Sequence, residues 1–222
     1  MDISDGVREN HSKAGHDYQI IKQPKTYEQQ VELIKEKGFI VNNDTECISF
    51  LKQANYYRLS AYFLPFKTES GKYKENLTLE RVYHIYEFDR KLRDLLFTAI
   101  EVIEVSLRSR LSYFHSKKYG PLGYLDESSF NSKHDAVKFN DNINREIENN
   151  KKVLFVKHHI EHYEGKFPLW VICELFTFGM LSYFYNDLTT ADKKEFAGAQ
   201  YKEMVSWLRC CTDLRNICAH YG

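Results

Sequence analysis

The sequence predicts an all-α fold, in which antiparallel helices form a bundle next to a small N-terminal helical module. The first observation is the scarcity of chain breakers, with 4 Pro and 10 Gly against 16 Tyr and 15 Phe. The second is that apolar residues recur at three- and four-residue steps over much of the chain, which is the period of an amphipathic helix. A hydrophobic content of 43% with 28% charged residues is typical of a chain that folds around a core.

The N-terminal part predicts a leader followed by a small module. Residues 1–25 are polar and have no apolar period, so we expect a flexible leader. Helical spacing and stop signals predict two short helices, at 26–37 and 44–53. The aromatic segment 55–66 predicts a strand or an irregular stretch, and it completes a module over 26–76.

The remaining residues, 77–222, predict the helical bundle. No Pro or Gly occurs between 78 and 119, which predicts one long helix or two nearly collinear ones. Its apolar stripe consists of Leu92, Leu96, Ile100, Ile103, Leu107, Leu111 and Phe114. Further helices are predicted at 132–149, 154–163, 169–185, 190–197 and 202–219.

Charge and cysteine content limit the partners and the compartment. Lys plus Arg (31) equals Asp plus Glu (31), so any nucleic acid must be bound by a local patch rather than by a global positive field. The 5 cysteines are odd in number and no signal peptide is present, which predicts a reducing, cytoplasmic location. The apolar stretch 167–185 contains Glu174, which would cost about 2.5–3.5 kcal/mol inside a membrane. We therefore expect a buried helix there and no membrane association.

The most specific candidate site lies near the C-terminus, where Arg215 and Asn216 precede His220. An imidazole moves protons near neutral pH, and a guanidinium can hold a phosphate through two parallel hydrogen bonds. Asn216 could orient the histidine or donate to the phosphate. These three residues predict a catalytic site for RNA cleavage that needs neither a metal nor any other cofactor.

The spacing within this motif has a geometric consequence. Five positions on an ideal helix turn about 500°, which leaves residues 215 and 220 roughly 140° apart. The helix must then distort or end between them, or two copies of the motif must meet across a dimer axis. We favour the dimer, although Arg and His at this spacing also occur in helices with no active site.

Four separated elements resemble one known family. The motif resembles the R-x(4–6)-H signature of the HEPN ribonuclease superfamily. The chain as a whole, from about residue 27 to its end, resembles that superfamily's abortive-infection branch, the AbiD/AbiF-like proteins. The elements are Asn55 to Tyr62 with Pro65-Phe66, Phe88 to Leu96 with Ile103 to Arg108, Pro168 to Ile172 with Glu174 and Phe178-Gly179, and Leu214 to His220.

This resemblance implies a HEPN-like bundle, a homodimer, and a toxin-like endoribonuclease that halts growth of a bacterial cell during phage infection. It also implies a small RNA or an antitoxin as a further partner. Relatives continue beyond the motif, whereas this sequence ends at Tyr221-Gly222. We therefore expect either a truncated chain or an incompletely framed site.

Two other pairs are candidate contacts to RNA or to the catalytic residues. Glu104 and Arg108 lie four residues apart, in the favourable order for a helix ion pair. They predict either a supporting or phosphate-contacting role or an ordinary surface pair. Tyr57 and Arg58 could stack on RNA bases, or they could belong to an aromatic core cluster.

The segment His158-His159-Ile160-Glu161-His162 fits H-x-x-E-H, an inverted zinc-hydrolase pattern. The pattern is short, Lys157 is cationic, and no third ligand is evident, so we predict no metal site. Two alternatives to the ribonuclease stay open. One is a non-catalytic RNA-binding or dimerisation module of a defence or toxin–antitoxin system, and the other is a metal hydrolase centred on these histidines.

Overall fold

The computed structural model describes residues 23–220, with side chains described from 23 to 219. Most of the predicted leader, 1–25, therefore lies outside the described residues. Over this range the chain forms α-helices, short 3₁₀ turns and no β-strand, which confirms the all-α prediction. The helices are α1 (Tyr27–Glu36), α2 (Asp44–Ala54), α3 (Tyr56–Ala61), α4 (Leu79–Tyr119), α5 (Ala136–Asn149), α6 (Leu154–His162), α7 (Leu169–Ile172), α8 (Phe178–Asp187), α9 (Thr190–Ala197) and α10 (Glu203–His220).

The chain divides into two compact units, Met1–Arg90 and Lys91–Gly222. The division falls within α4, whose first residues belong to the first unit. The domain boundaries expected from the sequence, at 26–76 and 77–222, stay a prediction.

The first unit has its own hydrophobic core, formed by side chains of α1, α2, α3 and the first turns of α4. Thr26 begins α1 with a capping box, in which its side chain accepts from the Gln29 N–H while the Gln29 side chain accepts from the Thr26 N–H. Fully or almost fully buried apolar side chains fill the interior: Val31, Ile34, Leu51, Leu59, Phe63, Leu79 and Val82. The two predicted short helices are present here with nearly the predicted bounds.

The prediction of a strand or irregular segment at 55–66 is wrong. Residues Tyr56–Ala61 form helix α3, and Leu64–Phe66 form a 3₁₀ turn. Asn55 starts α3, because its side-chain oxygen accepts from the N–H of Tyr57 at 2.7 Å and from that of Arg58 at 3.3 Å. Its φ of +49° is a conformation that asparagine tolerates better than most residues. This local cap outweighs the strand preference of the tyrosines.

The second unit is built around the buried face of α4. Ile100, Leu107 and Leu111 pack there against apolar side chains of α8 and α10. The long helix was predicted correctly. The predicted apolar stripe is buried only in part, because Leu92 is 40% exposed and Ile103 is 42% exposed. The core covers a narrower face of the helix than the sequence period indicates.

The single helix predicted at 169–185 is wrong, since two helices are present. α7 passes into a 3₁₀ turn at Cys173–Leu175, and α8 begins only at Phe178. Thr177 caps α8 by accepting from the Met180 N–H at 3.2 Å. Across the described residues 23–220, no helix combines the length and the apolar character that a membrane crossing requires.

Candidate active site on helix α10

The C-terminal motif lies on the last helix, α10, which is continuous from Glu203 to His220. Leu208 is buried in the core of the second unit, and Leu214 packs against the same core. α10 runs beside α8 at close range, since a Cβ built on Gly179 would lie 3.7 Å from Cγ2 of Thr212. Residues 215 and 220 therefore sit on one unbroken helix, and the side chain of His220 lies outside the described residues.

Arg215 is partly buried on the side of α10 that faces α4. The carbon centre of its guanidinium lies 5.8 Å from the centroid of the Phe97 ring, which is within the range of a cation–π contact. Its Nε is buried and has no hydrogen-bond partner within the described part of the chain. Buried donors are almost always paired, so this one is suited to an acceptor that comes from outside the described chain.

The residues that follow Arg215 differ in their exposure to solvent. Asn216 is exposed, Ile217 is 49% exposed, and Cys218 is buried. Trp207, about two turns before Arg215 on the helix, is also exposed, at 55%. The motif therefore presents one polar and one apolar side chain, Asn216 and Ile217, away from the core.

The pair formed by Glu104 and Arg108 anchors the turn between α7 and α8. Nη2 of Arg108 donates to the Glu104 carboxylate at 2.9 Å and to the Phe176 carbonyl at 2.9 Å. Nε of Arg108 donates to the Cys173 carbonyl at 2.8 Å. The side chains are only 14% and 19% exposed for Arg108 and Glu104, respectively. These contacts explain why the single helix predicted at 169–185 breaks. Arg108 donates to two backbone carbonyls that a continuous helix would bond internally.

Comparison with known protein families assigns the chain to one of them. A family model described as Abi-like protein matches residues 49–222, which is most of the 222 residues. The chain belongs to the Abi-like protein family. The match begins within α2 rather than at residue 27, and it contains all four elements that carried the resemblance. Membership indicates a role in abortive infection, and no curated protein and no solved structure matches the chain.

Tyr57 and Arg58 of this Abi-like protein lie on α3 in the first unit. Tyr57 is 86% exposed, so the alternative that it belongs to an aromatic core is wrong for this residue. Its neighbour Tyr56 does pack on the core, and its hydroxyl accepts from Nζ of Lys37 at 2.6 Å. A base-stacking role for Tyr57 stays a prediction.

The three histidines of α6 do not all face the same way. The rings of His158 and His162 have centroids 4.8 Å apart. His159 instead turns inward, where Nδ1 lies 2.8 Å from the Phe155 carbonyl and the ring stacks on Phe167. In the part of the chain that the structure describes, no group of three or more His, Cys, Asp or Glu side chains could hold a metal ion.

Phe97 is the site residue that the sequence did not reveal. It precedes Arg215 by more than a hundred positions and is 38% exposed. No local pattern marks it, because its contact depends on how α4 and α10 pack in the second unit. The only sequence signal is its place in a helix that resembles a family element.

Proposed function

We propose that this Abi-like protein is a metal-independent endoribonuclease of the HEPN type, which cleaves RNA during abortive infection. The observation that carries the proposal is the buried Nε of Arg215, which lacks a hydrogen-bond partner in the described chain. Arginine stays charged at any physiological pH. A buried guanidinium with an unpaired donor is stabilised by an anion, and the phosphate of RNA is a suitable one.

The roles of the motif residues follow from their chemistry. His220 removes the proton from the RNA 2′-hydroxyl, or gives a proton to the leaving 5′-oxygen, as the 2′-oxygen attacks the adjacent phosphorus. Arg215 stabilises the negative charge that builds on the phosphorane-like transition state. Asn216 orients the histidine or donates to a phosphate oxygen. The P–O5′ bond breaks, so that the products carry a 2′,3′-cyclic phosphate and a 5′-hydroxyl.

A homodimer would complete the site. α10 does not break between residues 215 and 220, so these positions are roughly 140° apart around the helix axis. The exposed Ile217 provides apolar surface within the motif on which a second copy could pack. An isologous contact there would bring Arg215 of one copy towards His220 of the other.

The first test is cleavage of a labelled RNA by the purified chain in the presence of EDTA. We expect cleavage with a cyclic phosphate end, and a loss of roughly 10²- to 10⁴-fold for His220→Ala. His162→Ala is the matched control and should keep full activity. Activity that EDTA abolishes, or that His162→Ala removes, would favour the metal hydrolase instead. RNA binding in EDTA with no cleavage would favour the non-catalytic module.

The second test mixes two inactive variants, Arg215→Ala and His220→Ala. If Arg215 and His220 act across the dimer, each mixed dimer has one intact site, and equal mixing restores about a quarter of wild-type activity. If both residues act within one chain, the mixture stays inactive. A monomer that cleaves at full rate would rule out the composite site while leaving the chemistry in place.

A further inference from the structure

Two surface hollows lie side by side on α8, and Tyr183 lines both of them. One has a volume of about 310 Å³ and is bordered by Arg209 of α10. The other has a volume of about 270 Å³ and is bordered by Lys133, just before α5, and by Lys138, in the first turn of α5. Tyr183 is 70% exposed, and Asn186, one turn later, also lines both hollows. The tyrosine ring therefore forms a ridge with an amide beside it and open space on either side.

Three cationic side chains around this ridge are candidates for contacts with an anion. Of the described residues, none forms an ion pair with Arg209, Lys133 or Lys138 within 4.0 Å. Two of the nearby carboxylates are already engaged, because Asp187 contacts His134 at 3.0 Å and Asp135 accepts from the Lys138 N–H at 2.9 Å. Asp213 is the acidic residue of the hollows that stays exposed without such a contact. The two hollows thus carry three cations that make no ion pair with a described residue, and three carboxylates, of which two are held by hydrogen bonds inside the fold.

The helix geometry of α10 connects these hollows to the motif. Positions 209 and 216 are seven residues apart, and an ideal helix brings them within about 20° of each other around its axis. Position 220 falls about 20° on the other side of position 209. Arg209, Asn216 and position 220 therefore share one face of the unbroken helix, over a length of about 16 Å.

We propose that this surface is the binding track for single-stranded RNA, and the inference rests on the proposed ribonuclease function. A base stacks on the Tyr183 ring, Asn186 contacts the edge of that base, and the phosphates on either side approach Arg209 and the Lys133–Lys138 pair. From Arg209 the strand follows α10 towards Asn216 and the catalytic position. Duplex RNA keeps its bases stacked on one another and offers none to Tyr183, so the track selects unpaired strands.

The test is fluorescence anisotropy of the full chain with a labelled single-stranded 2′-O-methyl RNA, which lacks the attacking hydroxyl and stays intact. We expect Tyr183→Ala to weaken binding roughly 5- to 100-fold, which is the usual effect of removing one stacking aromatic. Tyr183→Phe keeps the ring and should bind like the wild type. Tyr113→Ala is the matched control, because Tyr113 is 69% exposed on α4 and lines neither hollow.

The ionic contacts are tested by salt titration. Lys133→Gln with Lys138→Gln should lower the slope of log affinity against log salt by about 1.4, which is roughly 0.7 for each phosphate contact on a single strand. Lys151→Gln with Lys152→Gln is the control pair and should leave the slope unchanged. Equal binding by Tyr183→Ala and the wild type, or equal affinity for a duplex, would overturn the track.

The outcome also separates the track from the nuclease itself. Weaker binding of Tyr183→Ala with no RNA cleavage by the wild type supports the track and overturns the ribonuclease. RNA cleavage that proceeds equally well in Tyr183→Ala, at RNA concentrations below saturation, overturns the track and leaves the ribonuclease in place.

Discussion

Helix α4 and the C-terminal half of α10 each carry a partly buried arginine, but the two side chains, Arg108 and Arg215, differ in what they contact. Arg108 donates to one carboxylate and to two backbone carbonyls. Arg215 lies over the Phe97 ring, and its buried Nε has no acceptor in the described chain. Both belong to sequence elements that resemble the same family, so resemblance alone does not separate a structural arginine from a catalytic one.

We expect the hydrogen bonds of the two arginines to separate a structural role from the proposed catalytic one, which the resemblance does not do. A guanidinium whose donors are all directed at fixed acceptors stabilises the fold, and its removal leaves those acceptors unpaired. A guanidinium with a buried unpaired donor adds little to the fold, and it can take an external anion without breaking any internal bond. Mutations of the two arginines should therefore have opposite consequences for stability and activity.

The largest effect is expected from Arg215→Ala. Cleavage of RNA should fall by roughly 10²- to 10³-fold, since a charge that stabilises the transition state is lost. The free energy of unfolding should change by less than about 1 kcal/mol, which is the size of a single cation–π contact. Paired rate and thermal-unfolding measurements check this, and a large loss of stability with intact cleavage would contradict the assignment.

Arg108→Ala should have the converse effect. Removing it leaves the carbonyls of Cys173 and Phe176 and the Glu104 carboxylate without their donor, at a cost of about 2–4 kcal/mol. Thermal unfolding should shift down by roughly 5–15 °C for a chain of this size, whereas the folded fraction should still cleave RNA.

Arg145→Ala is the control for that variant, because Arg145 is exposed on α5. This variant should leave both the unfolding temperature and the rate of RNA cleavage unchanged. If Arg108→Ala instead abolished cleavage without a shift in unfolding temperature, Arg108 would be a phosphate contact rather than a structural anchor.

His115 sharpens the comparison, because it also has a buried nitrogen, Nδ1, without a described partner. Unlike arginine, histidine can stay neutral, and burial lowers its pKa from 6.5 to about 4. Above pH 6.5 the ring is neutral in both the folded and the unfolded state. As the pH falls from 6.5 towards 4, the unfolded chain takes up a proton that the folded chain does not. The fold should thereby lose up to about 3 kcal/mol of stability.

Chemical denaturation across this pH range measures the loss. His115→Phe should remove most of the decline between pH 6.5 and 4, whatever its effect on stability at neutral pH. A decline of the same size in the variant would place its origin in other groups. That result would assign Nδ1 of His115 to a neutral core, whereas the proposed anion site depends on the permanently charged Arg215.

The smallest effect is expected from Tyr57→Ala. Because this side chain is 86% exposed, its removal should change the free energy of unfolding by less than about 0.5 kcal/mol. Leu59, two positions along the same short helix, is fully buried. Leu59→Ala should therefore lower the free energy of unfolding by about 2–5 kcal/mol. An unchanged stability combined with weaker RNA binding by Tyr57→Ala would mark the tyrosine as an RNA contact.

Much of the helical architecture could be predicted from periodicity and breakers. The absence of Pro and Gly between 78 and 119 indicated the long α4, and the bounds of α9 were predicted at both ends. The motif was placed correctly on the last helix. Two local predictions were wrong where other signals prevailed: an asparagine cap made 56–61 helical, and a threonine cap with a distant arginine broke the helix expected at 169–185.

The sequence by itself determined that the chain is all-α, that it carries Arg215, Asn216 and His220 in one short stretch, and that it resembles abortive-infection proteins. These features depend on local spacing, which a chain carries whether or not it is folded. Only the tertiary structure decided that Arg108 is engaged with the backbone and that, within the described residues, Nε of Arg215 is not. The physical reason is that a hydrogen-bond acceptor such as the Cys173 carbonyl, or a ring such as Phe97, reaches these side chains only when helices distant in sequence pack together.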